Sequence, residues 1–150
     1  MKKWPWFIIS AVVIVLDQAS KYWAFRTLLP YQPEAVMPMV NFTLAFNTGA
    51  AFSFLSGTGD WHRWLFTGFS ATMSLVLMVW IIRLPNAARM QAAGLSLILA
   101  GAVGNLIDRI LLGHVIDFID VYYSHYHWPA FNLADSAICV GAFLLVLDML

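Results

Sequence analysis

At 150 residues and 16.8 kDa the chain is of single-domain length, yet 61% of it is apolar, only 11% is charged, and its mean hydropathy is +0.76. A soluble domain carries about 25% charge, so this composition excludes a water-soluble fold, disorder, a collagen and a disulfide-stapled scaffold. The 8 basic and 8 acidic residues cancel and leave no electrostatic case for nucleic acid. What remains is an integral membrane protein, a single domain over 1–150. Its predicted spans lie near 5–28, 64–82, 90–109 and 131–149, with outer loops 30–62 and 110–130.

Lys2 and Lys3 precede an uncharged run over 4–16, which Asp17 and Lys21 interrupt before the apolar stretch ends near Leu29. No small-x-small cleavage site follows, so the segment is expected to remain as a first span rather than leave as a signal peptide. Asp17 and Lys21 are four apart and share a helix face, as an ion pair or as part of a site. Pro30, Pro33 and Pro38 then argue against helix. From Val40 the residues alternate: Val40, Phe42, Leu44 and Phe46 against Asn41, Thr43, Ala45 and Asn47, the pattern of a strand with one buried face. Asn47-Thr48-Gly49 supplies turn chemistry, and Phe52 and Phe54 resume the alternation.

Residues 64–82 and 90–107 are free of charge, which makes two clear spans. In the second, Gly94, Ala100, Gly101 and Gly104 permit close helix packing. Gly101, Asn105 and Asp108 fall on one face, with Arg109 four residues past Asn105. Residues 115–123, VIDFIDVYY, fit a short amphipathic helix or a strand, and the expected architecture takes them as a short interfacial helix. Tyr122, Tyr123, Tyr126 and Trp128 suit a membrane interface. His114, His125 and His127, taken with Asp117, match no metal-ligand spacing, so no metal is expected. Asn132-x-x-Asp135 opens the last span and reads either as N-cap and N3 residues or as part of a site. Cys139, the one cysteine, is expected to be an inert packing residue.

The Lys/Arg tally ties if every cation counts: Lys2, Lys3, Arg83 and Arg89 on one side, Lys21, Arg26, Arg63 and Arg109 on the other. Lys21 and Arg109 lie inside helical patterns beside Asp17 and Asp108. Discounting them as paired puts both termini in the cytoplasm. Asp17, Lys21, Asn105, Asp108, Arg109, Asn132 and Asp135 then converge on the outer face. Polar groups at membrane depth are costly and mark function. The predicted fold is an all-α membrane protein, a four-transmembrane-helix bundle with a small extracytoplasmic β element and a short interfacial helix.

Two carboxylates in different settings, Asp117 among Ile116, Phe118 and Ile119 and Asp135 in a first helical turn, can divide acid and base roles. Asp135 is expected as the resting carboxylate and Asp117 as its protonated partner. The ordered set Asp17-Gln-Ala-Ser-Lys21, Asn47-Thr-Gly-Ala-Ala-Phe52, Gly104-Asn-Leu-Ile-Asp-Arg109, Val115-Ile-Asp-Phe118 and Phe131-Asn-Leu-Ala-Asp135 resembles lipoprotein signal peptidase (signal peptidase II) along essentially the whole chain. The resemblance implies an aspartyl endopeptidase of the bacterial inner membrane that cuts prolipoproteins before their diacylglyceryl-modified cysteine, without cofactor or metal. It places the catalytic aspartates on Asp117 and Asp135, and site-lining or bracing roles on Asp17, Lys21, Asn47, Gly49, Asn105, Asp108, Arg109 and Asn132. The expected partners are the lipid-modified substrates and membrane lipid, with the enzyme a monomer. The competing expectation is a small four-span proton-coupled transporter, whose sites usually lie near the midplane of repeated halves; no internal repeat is present.

Overall fold

The computed structural model describes residues 3–49 and 61–150. Helix α1 (Trp4–Thr27) starts with Pro5 in its first turn, where a missing N–H costs nothing. It stops at Leu28, two residues before Pro30, with the Leu28 N–H on the Ala24 carbonyl at 2.9 Å. Strands β1 (Glu34–Met37) and β2 (Val40–Asn47) follow, then helix α2 (Trp61–Arg83), which ends before Pro85. Helix α3 (Arg89–Leu111) is capped at Leu112 and followed by Gly113, whose φ of +82° suits a residue without Cβ. Strands β3 (Val115–Tyr123) and β4 (Tyr126–His127) lead to helix α4 (Leu133–Asp148).

Among the described residues, α1, α2 and α3 are the helices long and apolar enough to cross a membrane. Their outward faces are greasy: Val12, Val15 and Leu16 on α1, and Leu65, Phe69, Leu75 and Trp80 on α2, are exposed. Helix α4 has 16 residues, about 24 Å at 1.5 Å per residue. It runs antiparallel to α3, with Gly94 against Gly141 and Gly101 against Ala134. A Cβ on Gly101 would strike the Ala134 carbonyl oxygen, and one on Gly94 would lie 2.8 Å from the Gly141 oxygen. The small residues therefore set how closely α4 approaches. At one end of the bundle, Leu77, Ile81, Leu84, Ala92, Leu95 and Leu99 form a core with Trp6 and Phe7.

The other end carries an antiparallel sheet in the order β1-β2-β3-β4. Val40 pairs with Val121 and Asn47 with Val115, with a bulge between Phe42 and Ala45. Leu44, Ile116 and Phe118 pack on Ala24 and Leu28 of α1, which seats the sheet on the helix end. The alternation from Val40 is thus a strand. Phe52 and Phe54 lie outside the described residues.

Three expectations are corrected. VIDFIDVYY is strand β3 and not a short interfacial helix, because β2 offers it a hydrogen-bonding edge along which it pairs from Val115 to Val121 on either side of the bulge. The stretch 110–130 is accordingly sheet as much as loop, and the fold is mostly helical rather than all-α. Cys139 is exposed on α4 rather than packed inside, because Ala137 and Gly141 face the bundle in its place.

Candidate active site

The polar groups meet where the sheet caps the bundle. Lys21 is buried, and its ammonium has three acceptors: Asp17 Oδ2 at 2.9 Å, Asp108 Oδ2 at 2.9 Å and Asn105 Oδ1 at 2.9 Å. An ammonium has three protons, so Lys21 is fully satisfied. A buried charge is tolerable only on those terms. The expected Asp17–Lys21 pair is present, but Arg109 does not take Asp108. Lys21 reaches Asp108 from α1, and Arg109 instead donates to Ser70 Oγ of α2 at 3.3 Å, its guanidinium 5.8 Å from the Phe66 ring. Helical adjacency points neighbours in different directions, which is why Asp108 and Arg109 separate.

Each carboxylate of this group also organises backbone. Asp17 Oδ1 accepts the Ala134 N–H at 2.9 Å. Asp108 accepts the Ile116 N–H at 3.1 Å, which ties the start of β3 to α3, and the Gln18 amide at 3.0 Å. Gly104 leaves room for this cluster, since a Cβ there would lie 2.6 Å from Asp17 Oδ2.

Asn105 relays from the lysine toward the second group: its Nδ2 donates to Asp135 Oδ1 at 2.8 Å. Asp135 occupies N3 of α4 and closes a capping box with Asn132. The Asp135 N–H donates to Asn132 Oδ1 at 2.9 Å, and the Asn132 N–H donates to Asp135 Oδ2 at 3.2 Å. Capping and site membership are therefore compatible for these two residues. The Asn132 Nδ2 donates to Asp117 Oδ1 at 2.7 Å, and Asn47 Nδ2 donates to Asp117 Oδ2 at 3.0 Å. Gly49 N–H donates to Asn47 Oδ1 at 2.8 Å in an Asx-type turn, which orients that amide. Gly49 has φ +91°, and a Cβ there would meet the Phe66 ring at 2.5 Å.

Asp117 is buried at 2% exposure on β3. That burial pushes its carboxyl up to about 6. The Asn47 amide opposes the rise, the negative Asp135 adds to it, and the Asn132 amide and Lys21 oppose it. A carboxyl held this far from its ordinary value beside a second acid is a functional-site signature.

All ten residues singled out by sequence thus lie in one neighbourhood, and Asp117, Asp135, Asn47, Asn105 and Asn132 share one hydrogen-bonded network. Three participants went unselected. Gln18 bridges Asp17, Asp108 and the Gly104 carbonyl, and its amide inside an apolar span was the available signal. Ser70 on α2 supports Arg109. Arg63 donates to the Arg109 and Ile110 carbonyls at 3.1 and 2.8 Å, covering the negative end of α3. The histidines form no metal cluster among the described residues. His127 binds Asp120 at 2.8 Å. Burial alone would raise the Asp120 carboxyl, but hydrogen bonds from His127, Asn41 and Thr43 hold it below its usual range.

Comparison with known proteins agrees with this architecture. A bacterial membrane enzyme solved by the in meso method at 1.9 Å superimposes with TM-score 0.86 at 33% identity, covering 97% of this chain and 92% of that one. The lipoprotein signal peptidase of Cellvibrio japonicus is 49% identical over 97% of this chain and 86% of its own length. That of Coxiella burnetii is 48% identical over 99% and 91%. Nothing among these relatives supports the transporter alternative. The family model for signal peptidase (SPase) II matches residues 9–150, so the chain, with its carboxylates gathered at one end of an apolar bundle, belongs to the signal peptidase II family of membrane peptidases.

Proposed function

We propose that Asp117 and Asp135 are the water-activating pair with which this aspartic peptidase removes signal peptides from prolipoproteins. The observation that carries this reading is the shared Asn132. Its side chain holds Asp117 at 2.7 Å and caps the helix turn bearing Asp135. The two acids thus come from a strand and a helix in a fixed mutual setting, and they differ in environment. Two neighbouring carboxylates resist double ionisation and hold one proton between them. Asp135 takes a proton from the attacking water as the C–O bond forms at the scissile carbonyl. Asp117, protonated, donates a hydrogen bond to the carbonyl oxygen and then supports protonation of the leaving amine as the C–N bond breaks. Asn47, Asn105 and Asn132 hold the oxygens in place, and Lys21 compensates the charge behind them.

The substrate's diacylglyceryl chains stay in the bilayer while the peptide preceding the modified cysteine lies across the bundle end. In this reading α4 is a fourth span, completed by the extended residues 129–132, and the sheet faces outward. Charge placement supports that orientation. Lys3, Arg83 and Arg89 lie at the end away from the sheet. At the sheet end Lys21, Arg63 and Arg109 are consumed by internal partners, which leaves Arg26 as the exposed cation there, against three cations at the other end. The enzyme acts as a monomer.

The test is hydrolysis in detergent micelles of two peptides that differ only in diacylglyceryl modification of the cysteine. The modified peptide is cleaved before that cysteine by the wild type and not by Asp117→Asn. Cleavage by the variant at the wild-type rate defeats the assignment.

A further inference from the structure

A cavity of about 280 Å³ lies between the sheet ends of α1 and α3 and the start of β3, and neither Asp117 nor Asp135 lines it. Its deep residues are Gln18, Lys21 and Asp108, all engaged with each other or with Asp17, Asn105 and backbone. With all three lysine protons used, the floor offers a polar ligand no free donor. The walls are different. Phe25, Leu111 and Leu112 line the cavity and are exposed on the outside of apolar helices. At the mouth stands Arg26, exposed on the last turn of α1, its guanidinium 5.8 Å from the Tyr22 ring. Among the described residues no carboxylate lies within ion-pair distance of it.

We propose that this cavity holds one anionic phospholipid, an acyl chain in the slot and the phosphate on Arg26. The chemistry follows from the depths of the parts. An apolar slot opening sideways on a spanning helix takes hydrocarbon. A cation with an aromatic neighbour at the helix end sits at headgroup level. A net negative headgroup satisfies Arg26, whereas a zwitterionic one brings its own amine to the same phosphate. The lipid closes the cavity behind the Lys21–Asp108 pair and keeps water from the rear of the network that reaches Asp135 through Asn105. The site stands independently of the catalytic assignment.

The experiment uses the full chain in the Asp117→Asn background, so that turnover plays no part. The protein is equilibrated with mixed phosphatidylglycerol and phosphatidylcholine, stripped by detergent exchange, and its retained lipid is quantified by native mass spectrometry. The parent is expected to retain phosphatidylglycerol preferentially. Arg26→Gln reduces that preference about fivefold, the factor one cation near an anionic lipid surface supplies. Leu112→Trp fills the slot and abolishes retention of either lipid, while Arg83→Gln, at the opposite end, changes nothing. An unchanged preference in Arg26→Gln overturns the proposal, as does unchanged retention in Leu112→Trp. Displacement of the retained lipid by the diacylglyceryl substrate peptide also overturns it, since the cavity is then part of the substrate site.

Discussion

Asp17 accepts the backbone N–H of Ala134 at 2.9 Å although the two residues are 117 positions apart. Ala134 is N2 of α4, and its N–H is one of the donors every helix start leaves unpaired. Asn132 caps the next donor, at Asp135. A carboxylate from the first helix therefore fixes where the last helix begins, and with it the placement of Asp135.

That relationship predicts how Asp17 and Lys21 behave on substitution. Lys21→Met leaves Asp17 and Asp108 buried without their cation, which costs on the order of 3–5 kcal/mol. Asp17→Asn weakens the pair and the cap together, and both variants lose thermal stability before chemistry. Denaturation and single-turnover kinetics on the same preparations separate the two. A normal melting temperature and normal substrate binding with chemistry abolished count against a supporting role.

Asp117→Asn and Asp135→Asn should each reduce turnover by at least about 100-fold, the low end of what a positioned acid or base contributes. Both proteins should still fold and insert. If Asp135 served only as the N3 cap, its variant would lose about 1 kcal/mol and keep its activity. Assay of modified substrate alongside circular dichroism decides between these outcomes.

Burial holds the Asp117 carboxyl at about 6 against an ordinary 3.8. A native group with a raised value binds its proton more readily than the unfolded chain does. Its contribution to stability is therefore present below 3.8 and lost as pH rises through about 6. Asp117→Asn should remove this loss and be more stable than wild type at pH 7, by at most about 3 kcal/mol. In difference infrared spectra a protonated-carboxyl C=O band should titrate with a midpoint near 6. It should vanish in Asp117→Asn. It should persist in Asp135→Asn with a lower midpoint, because a neighbouring negative charge is gone. A band that survives in Asp117→Asn and disappears in Asp135→Asn reverses the acid and base roles.

Gly101→Val should push α4 off α3, since even a Cβ meets the Ala134 carbonyl. Overpacking of this kind costs about 1–3 kcal/mol. Because Ala134 precedes Asp135, activity should fall more steeply than stability. Gly68→Ala on α2, where no described atom outside the helix's own backbone lies within 4 Å of a Cβ, is the control for crowding and should leave activity unchanged while adding at most about 1 kcal/mol of stability. Equal effects of the two substitutions in a thermal melt would remove Gly101 from the site's architecture.

Local sequence determined more of this protein than its length suggests. Uncharged runs marked the long helices, because the cost of burying charge in lipid is paid residue by residue. Alternation from Val40 to Asn47 marked β2, although a bulge between Phe42 and Ala45 breaks the face pattern and the buried positions are Asn41 and Leu44. Five short motifs held all ten residues assigned to the carboxylate neighbourhood, but not Ser70 or Arg63, which support Arg109 and the end of α3 from α2. Tertiary structure decided what those patterns left open. VIDFIDVYY became a strand because β2 presented an edge to it, a fact external to the segment. Lys21 took Asp108 as well as Asp17 because α1 and α3 pack in parallel, and Arg109 was thereby released to Ser70. Asn132 touches both Asp117 and the Asp135 turn because the bridge between Ile119 and Phe131 brings the start of α4 alongside β3. Periodicity and composition act along the chain, whereas the partner of a buried polar group is whichever group the packing brings within hydrogen-bonding reach.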